Sequence, residues 1–96
     1  MVLEHGSIYK LYTQKEEVSL KELEGKKVIW NLQKNTYYHL GEIGLVIWGY
    51  FAVPVTMEQI ISRLMDEFEV IETECRRQVH AFVEELLNEG LISKHD

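Results

Sequence analysis

The run Thr36-Tyr37-Tyr38-His39-Leu40-Gly41-Glu42-Ile43-Gly44-Leu45-Val46-Ile47-Trp48 constrains this chain more than any other stretch. Its apolar residues alternate up to Leu40 and then recur with a period of about 3.6, so a strand passes directly into a helix at Gly41. Two further helical patterns follow, the last closing on Phe82-Val83-Glu84-Glu85-Leu86-Leu87-Asn88-Glu89-Gly90-Leu91-Ile92. The expectation is an α+β domain in which a small sheet feeds three short helices. Such a layout does not by itself fix a function.

Upstream of this run, Val18-Ser19-Leu20 alternates, Glu24-Gly25 supplies a turn, and Lys27 to Leu32 reads as a second strand. The next turn is decided by which register keeps the apolar face together. A two-residue loop at Lys34-Asn35 pairs Leu32 with Tyr37 and mixes the faces. A type I turn ending in a left-handed Asn35, with a one-residue bulge, places Trp30 opposite Tyr38 and Val28 opposite Leu40. Asn tolerates that conformation better than most residues. Because a slip of one residue exchanges the faces, the bulged register is expected. Val28, Trp30, Leu32, Tyr38 and Leu40 then point to the core, with Tyr37 and His39 on the other side. Residues 1–16 read as an N-terminal arm or an extra strand, and residues 17–96 as the domain proper.

The first helix is expected from Glu42 to Phe51, with Ile43, Val46, Ile47, Tyr50 and Phe51 inward. Gly44 and Gly49 each cost it about 1 kcal/mol relative to Ala, which implies close backbone contacts. Thr56-Met57-Glu58-Gln59 matches a capping box, and Ile60, Ile61, Leu64, Met65 and Phe68 follow at helical spacing. The third helix starts near Glu72 or Thr73 and carries the stripe Val79, Phe82, Val83, Leu86 and Leu87. Gly90 stands where a C-terminal cap belongs, and Leu91-Ile92-Ser93 reads as an extended tail packed back on the core.

At 96 residues the chain makes one domain, near the lower end of what buries a self-sufficient core. The longest apolar run, Leu45 to Val55, is interrupted by Gly49 and Pro54 and is too short to span a bilayer. Met1-Val2-Leu3-Glu4-His5 has neither a basic start nor an apolar core, so a secretory signal is not expected. A single cysteine, Cys75, forms no internal disulfide, and the chain reads as cytoplasmic. The net charge of −6 argues against a nucleic-acid surface, whose affinity comes from Lys and Arg displacing counterions. It is compatible with a basic peptide partner, although many soluble proteins are equally acidic.

No catalytic constellation is visible. None of His5, His39, His80 and His95 completes a metal site with a suitably spaced carboxylate or thiol, so neither metal nor cofactor is expected. Cys75 lacks the adjacent base that a nucleophile needs and reads as a small filler. Tyr37-Tyr38 has two readings: an ordinary strand pair, one residue core and one surface, or part of a sheet edge with unpaired backbone groups. An edge flanked by an apolar helix has the parts to bind an extended peptide by strand addition. Charges on the third helix are explained either as a solvated face or as the polar rim of a peptide groove. In the second case Arg76 and Arg77 meet acidic peptide residues and Glu84 and Glu85 meet basic ones.

Residues 17–92 resemble the PqqD-like family, also called RiPP recognition elements. The matching pieces occur in the family's order. They are Asn31-Leu32-Gln33-Lys34-Asn35-Thr36-Tyr37-Tyr38-His39-Leu40, Gly44 with Ile47-Trp48, Thr56-Met57-Glu58-Gln59-Ile60, Leu64 through Phe68-Glu69-Val70, and Val79 through Leu86 with Gly90-Leu91-Ile92. The resemblance implies a winged-helix-like fold, a three-stranded antiparallel sheet followed by three helices. It implies a non-enzymatic protein that binds the leader of a ribosomally made precursor and presents it to a processing enzyme.

In that case the leader adds as a strand beside Thr36, Tyr37, Tyr38, His39 and Leu40. It lies over the third helix at Arg76, Val79, His80, Phe82, Val83 and Leu86. Two positions depart from the family's pattern: Gly41 stands where Asn is common after the strand, and Gln78 where Asp commonly precedes the helix valine. Free-standing members with a Tyr-Tyr pair and an Ile-Trp first helix are most similar to the leader-binding proteins of lasso-peptide clusters, which work with a cysteine protease. The alternatives are a peptide chaperone of pyrroloquinoline quinone synthesis, working with a radical SAM enzyme, and a winged-helix DNA-binding regulator. No membrane partner is expected, and an open edge allows a monomer or a weak homodimer.

Overall fold

The computed structural model describes residues 10–95. Five strands and three helices follow in the order β1 (Leu11–Gln14), β2 (Val18–Leu23), β3 (Lys26–Asn31), β4 (Thr36–Tyr38), α1 (Glu42–Tyr50), α2 (Met57–Glu67), α3 (Glu72–Asn88) and β5 (Ile92–His95). β2, β3 and β4 form an antiparallel sheet in that order, so among the described residues β4 has one neighbour and forms an edge. β1 and β5 pair into a separate two-stranded sheet.

The β2–β3 hairpin closes on Glu24 and Gly25, both with positive φ (54° and 80°), the two-residue turn whose twist matches the strands it joins. At the β3–β4 turn Asn35 is left-handed as expected, with φ 53°. The register, however, differs from the expected one by a single residue. Ile29 faces Tyr38, Trp30 faces Tyr37 and Asn31 faces Thr36, across a four-residue turn.

The faces therefore exchange along β3. Ile29 and Asn31 point to the core, whereas Trp30 turns outward and stacks on Tyr37, ring centroids 5.9 Å apart at 15°. Lys21 caps the other face of the indole at 4.3 Å. Leu32, expected inside, is 59% exposed in the turn. Val28 is buried, but outside the main apolar cluster.

The physical reason lies in Asn31. Its buried side chain accepts the Lys34 amide at 3.1 Å through Oδ1, so a polar residue occupies a core-facing position without loss of a hydrogen bond. The Leu32 amide is meanwhile drawn to the Glu17 carbonyl at 2.9 Å.

The core packs all three helices against the sheets through Ile29, Ile47, Trp48, Phe51, Ile60, Ile61, Leu64, Val79, Val83 and Leu86. Along α1, Trp48 is buried although it was not expected inward, and Ile43 is 46% exposed although it was. α2 opens on a full capping box: Thr56 Oγ1 accepts the Gln59 amide at 3.1 Å, and Gln59 Oε1 accepts the Thr56 amide at 2.9 Å. α3 ends as the glycine predicts. Gly90 has φ 74°, its amide donates to Leu87 O, and the Leu91 amide donates to Leu86 O.

β1 ties the far end of α1. Gln14 Nε2 donates to Trp48 O at 2.9 Å, Thr13 Oγ1 donates to Phe51 O at 3.1 Å, and the Gln14 amide donates to Phe51 O at 2.9 Å. These groups satisfy carbonyls that a helix end leaves without partners.

Candidate functional site

β4 is short because residue 39 leaves the β3 ladder and Gly41 is the N-cap of α1, so only Thr36 to Tyr38 of the expected Thr36–Leu40 strand are paired. Its other side has no strand beside it among the described residues. Gly41 leads into α1 in extended conformation without a side-chain cap. Three residues later, Gly44 allows α1 to approach α3. A Cβ at Gly44 would stand 3.2 Å from Leu40 Cβ and 3.4 Å from Phe82 Cζ. Gly49 meets nothing within 4 Å, so the close contact expected there is absent.

Two connected hollows flank this crossing. A groove of about 900 Å³ runs between α1, the α2–α3 connection and α3, walled by Ile43, Ile47, Leu64, Phe68, Val70, Ile71, Val79 and Phe82. A narrow cleft of about 260 Å³ lies between the end of β4 and the C-terminal half of α3, lined by Tyr38, His39, Leu40, Phe82, Leu86, Glu85 and Glu89. Gly41, Phe82 and Glu85 line both, so they form one trough that begins beside the open strand and deepens past Gly41.

The expected site residues divide clearly. Tyr38, His39, Leu40, Val79, Phe82 and Leu86 line the trough. Thr36 and Tyr37 contribute backbone at the edge, while the Tyr37 ring lies on the outer face of the sheet. Val83 is fully buried beneath the trough, and His80 is exposed outside it. Arg76 points toward α2, where it grips Glu58 at 2.6 and 3.0 Å, and it also bonds Glu72 one turn back on α3 at 3.2 Å. The neighbouring Arg77 is the arginine at the groove, and it pairs with Glu74.

Apart from Phe82, which belongs to the expected stripe, the groove-lining residues of α3 follow a pattern of their own. Glu74, Gln78, Ala81, Phe82, Glu85 and Glu89 recur at helical spacing on α3, one position aside from the core stripe Val79, Val83 and Leu86. Val70 ends one of the pieces that match the family and Ile71 was not singled out; both are exposed apolar residues of the α2–α3 connection.

Local electrostatics fix several of these groups. The Tyr38 hydroxyl donates to Glu89 Oε1 at 3.0 Å. Burial, and then this bond, push its pKa above the usual tyrosine value. Lys34 Nζ donates to the Glu89 carbonyl at 3.1 Å, joining the β3–β4 turn to the end of α3. Burial likewise raises the Cys75 thiol, which lines the groove as a neutral group. Among the described residues, no group of three or more His, Cys, Asp or Glu side chains is arranged to hold a metal ion, and no helix is long and apolar enough to cross a membrane.

Comparison with known proteins gives two kinds of match. The family model described as Coenzyme PQQ synthesis protein D (PqqD) matches residues 26–92. The structure of a lasso peptide synthetase B1 complexed with the leader peptide superposes with a TM-score of 0.73 at 20% identity, covering 85% of this chain and 96% of that one. TbiB1 in complex with the TbiA(beta) leader peptide gives 0.74 at 23%, covering 84% and 94%. At these identities the likeness is one of fold. No curated protein matches the sequence.

Proposed function

Because this chain belongs to the PqqD family, whose model spans its residues 26–92, we propose that it is a non-catalytic recognition protein for the leader of a ribosomally synthesised precursor peptide. The leader adds as a fourth strand beside β4 and sends its inward side chains into the trough against α3. The observation that carries this reading is the juxtaposition of an open strand edge with an apolar groove of about 900 Å³. Main-chain pairing supplies a net of about 0.5–1.5 kcal/mol per hydrogen bond, and each well-buried apolar side chain adds roughly 1.5–3 kcal/mol. The two solved structures matched above are both leader-peptide complexes, which supports the same role here.

The bound leader is presented to a processing enzyme, a leader protease of a lasso-peptide pathway. The family description favours a second reading, a peptide chaperone of pyrroloquinoline quinone synthesis, which would deliver the leader to a radical SAM enzyme instead. Co-purification of the chain and a precursor with each enzyme separates the two. The binding step is tested by calorimetric titration with the leader of a precursor peptide whose gene neighbours the one for this chain, identified from the gene neighbourhood. Saturable binding is expected, and Phe82→Glu weakens it at least about tenfold, roughly 1.4 kcal/mol. Absence of binding to the wild-type chain overturns the reading.

A further inference from the structure

At the large groove, which Glu85 also borders with Glu69 and Glu74, Arg77 supplies a cation paired with Glu74, whereas the narrow cleft between β4 and α3 has no Lys or Arg in its lining among the described residues. Its floor is apolar, Phe82 and Leu86, while its rim carries Glu85 and Glu89. Four residues apart on one helix, the two carboxylates stand one above the other on the same side. Glu85 is exposed and has no ion-pair partner among the described residues. Among the described residues the Glu89 carboxylate accepts a hydrogen bond from the neutral Tyr38 hydroxyl and forms no ion pair. Of the nearby basic groups, Lys34 places its Nζ on the Glu89 carbonyl and lies with Lys15 by Gly90, neither lining the cleft, whereas His39 does line it.

An apolar guest side chain leaves those carboxylates uncompensated, and an acidic one is repelled by them. Lysine and arginine fit both halves, since their aliphatic stems cover apolar surface while the charged head stays at the rim. The Phe82 ring adds a face to which a cation is attracted.

We propose that this cleft is a subsite for a Lys or Arg side chain of the bound peptide. The peptide read by this chain then carries a basic residue on the same face as an apolar residue that fills the large groove. This deepens the leader-binding reading and rests on it. Successive side chains of a strand alternate between faces, so the two determinants stand an even number of positions apart.

The test is a display library of short random peptides panned against the full chain, its Glu85→Gln variant and its Glu85→Lys variant. Circular dichroism verifies that the variants fold, and Glu85 is exposed enough for both to do so. The wild-type chain is expected to enrich Lys or Arg at a fixed even spacing from an apolar position. Glu85→Gln weakens that preference, and Glu85→Lys abolishes it or turns it toward Asp and Glu. In a selected peptide, exchanging the basic residue for Ala lowers affinity severalfold at low salt and less at high salt, as expected for a partly exposed ion pair. Enrichment of apolar positions without a basic preference, or a basic preference unchanged in Glu85→Lys, overturns the subsite and leaves the groove reading standing. Failure of every chain to enrich any peptide overturns the strand-addition reading, and the subsite with it.

Discussion

Gly44 and Gly49 share one helix and one propensity, yet their surroundings give opposite expectations. Nothing lies within 4 Å of a Cβ at Gly49, so Gly49→Ala stabilises the chain by about 0.5–1 kcal/mol, read as a higher urea midpoint. At Gly44 the methyl meets Leu40 Cβ at 3.2 Å, an atom fixed to the backbone. Gly44→Ala therefore shows no such gain, and by displacing Phe82 it weakens peptide binding. A second residue-scale outcome concerns Tyr50, whose hydroxyl donates to Glu67 Oε1 at 2.9 Å; burial, then that bond, raise its pKa from 10.0 to about 12. The unfolded chain loses this proton first, so the contribution of Tyr50 is complete below pH 10.0 and is lost as the pH rises toward about 12. Stability curves of wild type and Tyr50→Phe should converge over that window. Single residues also mark the limits of sequence reading. Thr56, Gln59, Asn35 and Gly90 announced their roles because caps and left-handed turns have strict local chemistry. Asn31 did not, since alternation assigns the core face to apolar residues and cannot see that a turn amide will satisfy a buried Asn.

Among the elements, α3 presents two neighbouring stripes. Val79, Val83 and Leu86 were legible as core because burial selects apolar residues. The groove face beside them mixes Gln78, Phe82, Glu85 and Glu89, and by hydrophobicity alone it looks like solvent-facing helix. For the same reason Arg76 was read as a rim residue, whereas its bond to Glu58 turns it to α2, and only the three-dimensional structure separates it from Arg77. The start of α3 gives a prediction with two opposed signs. Ile71 is the N-cap, 73% exposed, in extended conformation and with no side-chain cap, and it also lines the groove. Ile71→Asp supplies a cap and raises stability by about 0.5–1 kcal/mol, yet lowers leader affinity by placing a charge in the groove. Thermal melts and titrations on one preparation check both signs.

At the scale of the molecule, the small β1–β5 sheet holds the trough's frame. It carries the buried Tyr12, pairs with Val55, and grips the end of α1 through Thr13 and Gln14. Removing residues 1–14 is expected to cost at least about 2 kcal/mol from the burial of Tyr12 alone, measured as a lower urea midpoint. Alternation and the switch at Gly41 made an edge strand flanked by an apolar helix legible; that the helix is the last one was implied by the family resemblance, and the cleft shared by Tyr38, Leu40, Phe82 and Leu86 agrees with it. The depth of the groove and its acidic rim depend on how α1 crosses α3, which no linear pattern states.

The strand-addition claim is tested most directly by amide hydrogen exchange of the labelled chain, alone and with its leader peptide. Protection should appear at residues 36–40, with slower exchange in the groove-facing part of α3 and little change in β1 and β5. Binding that leaves residues 36–40 exchanging as in the free chain would contradict the account.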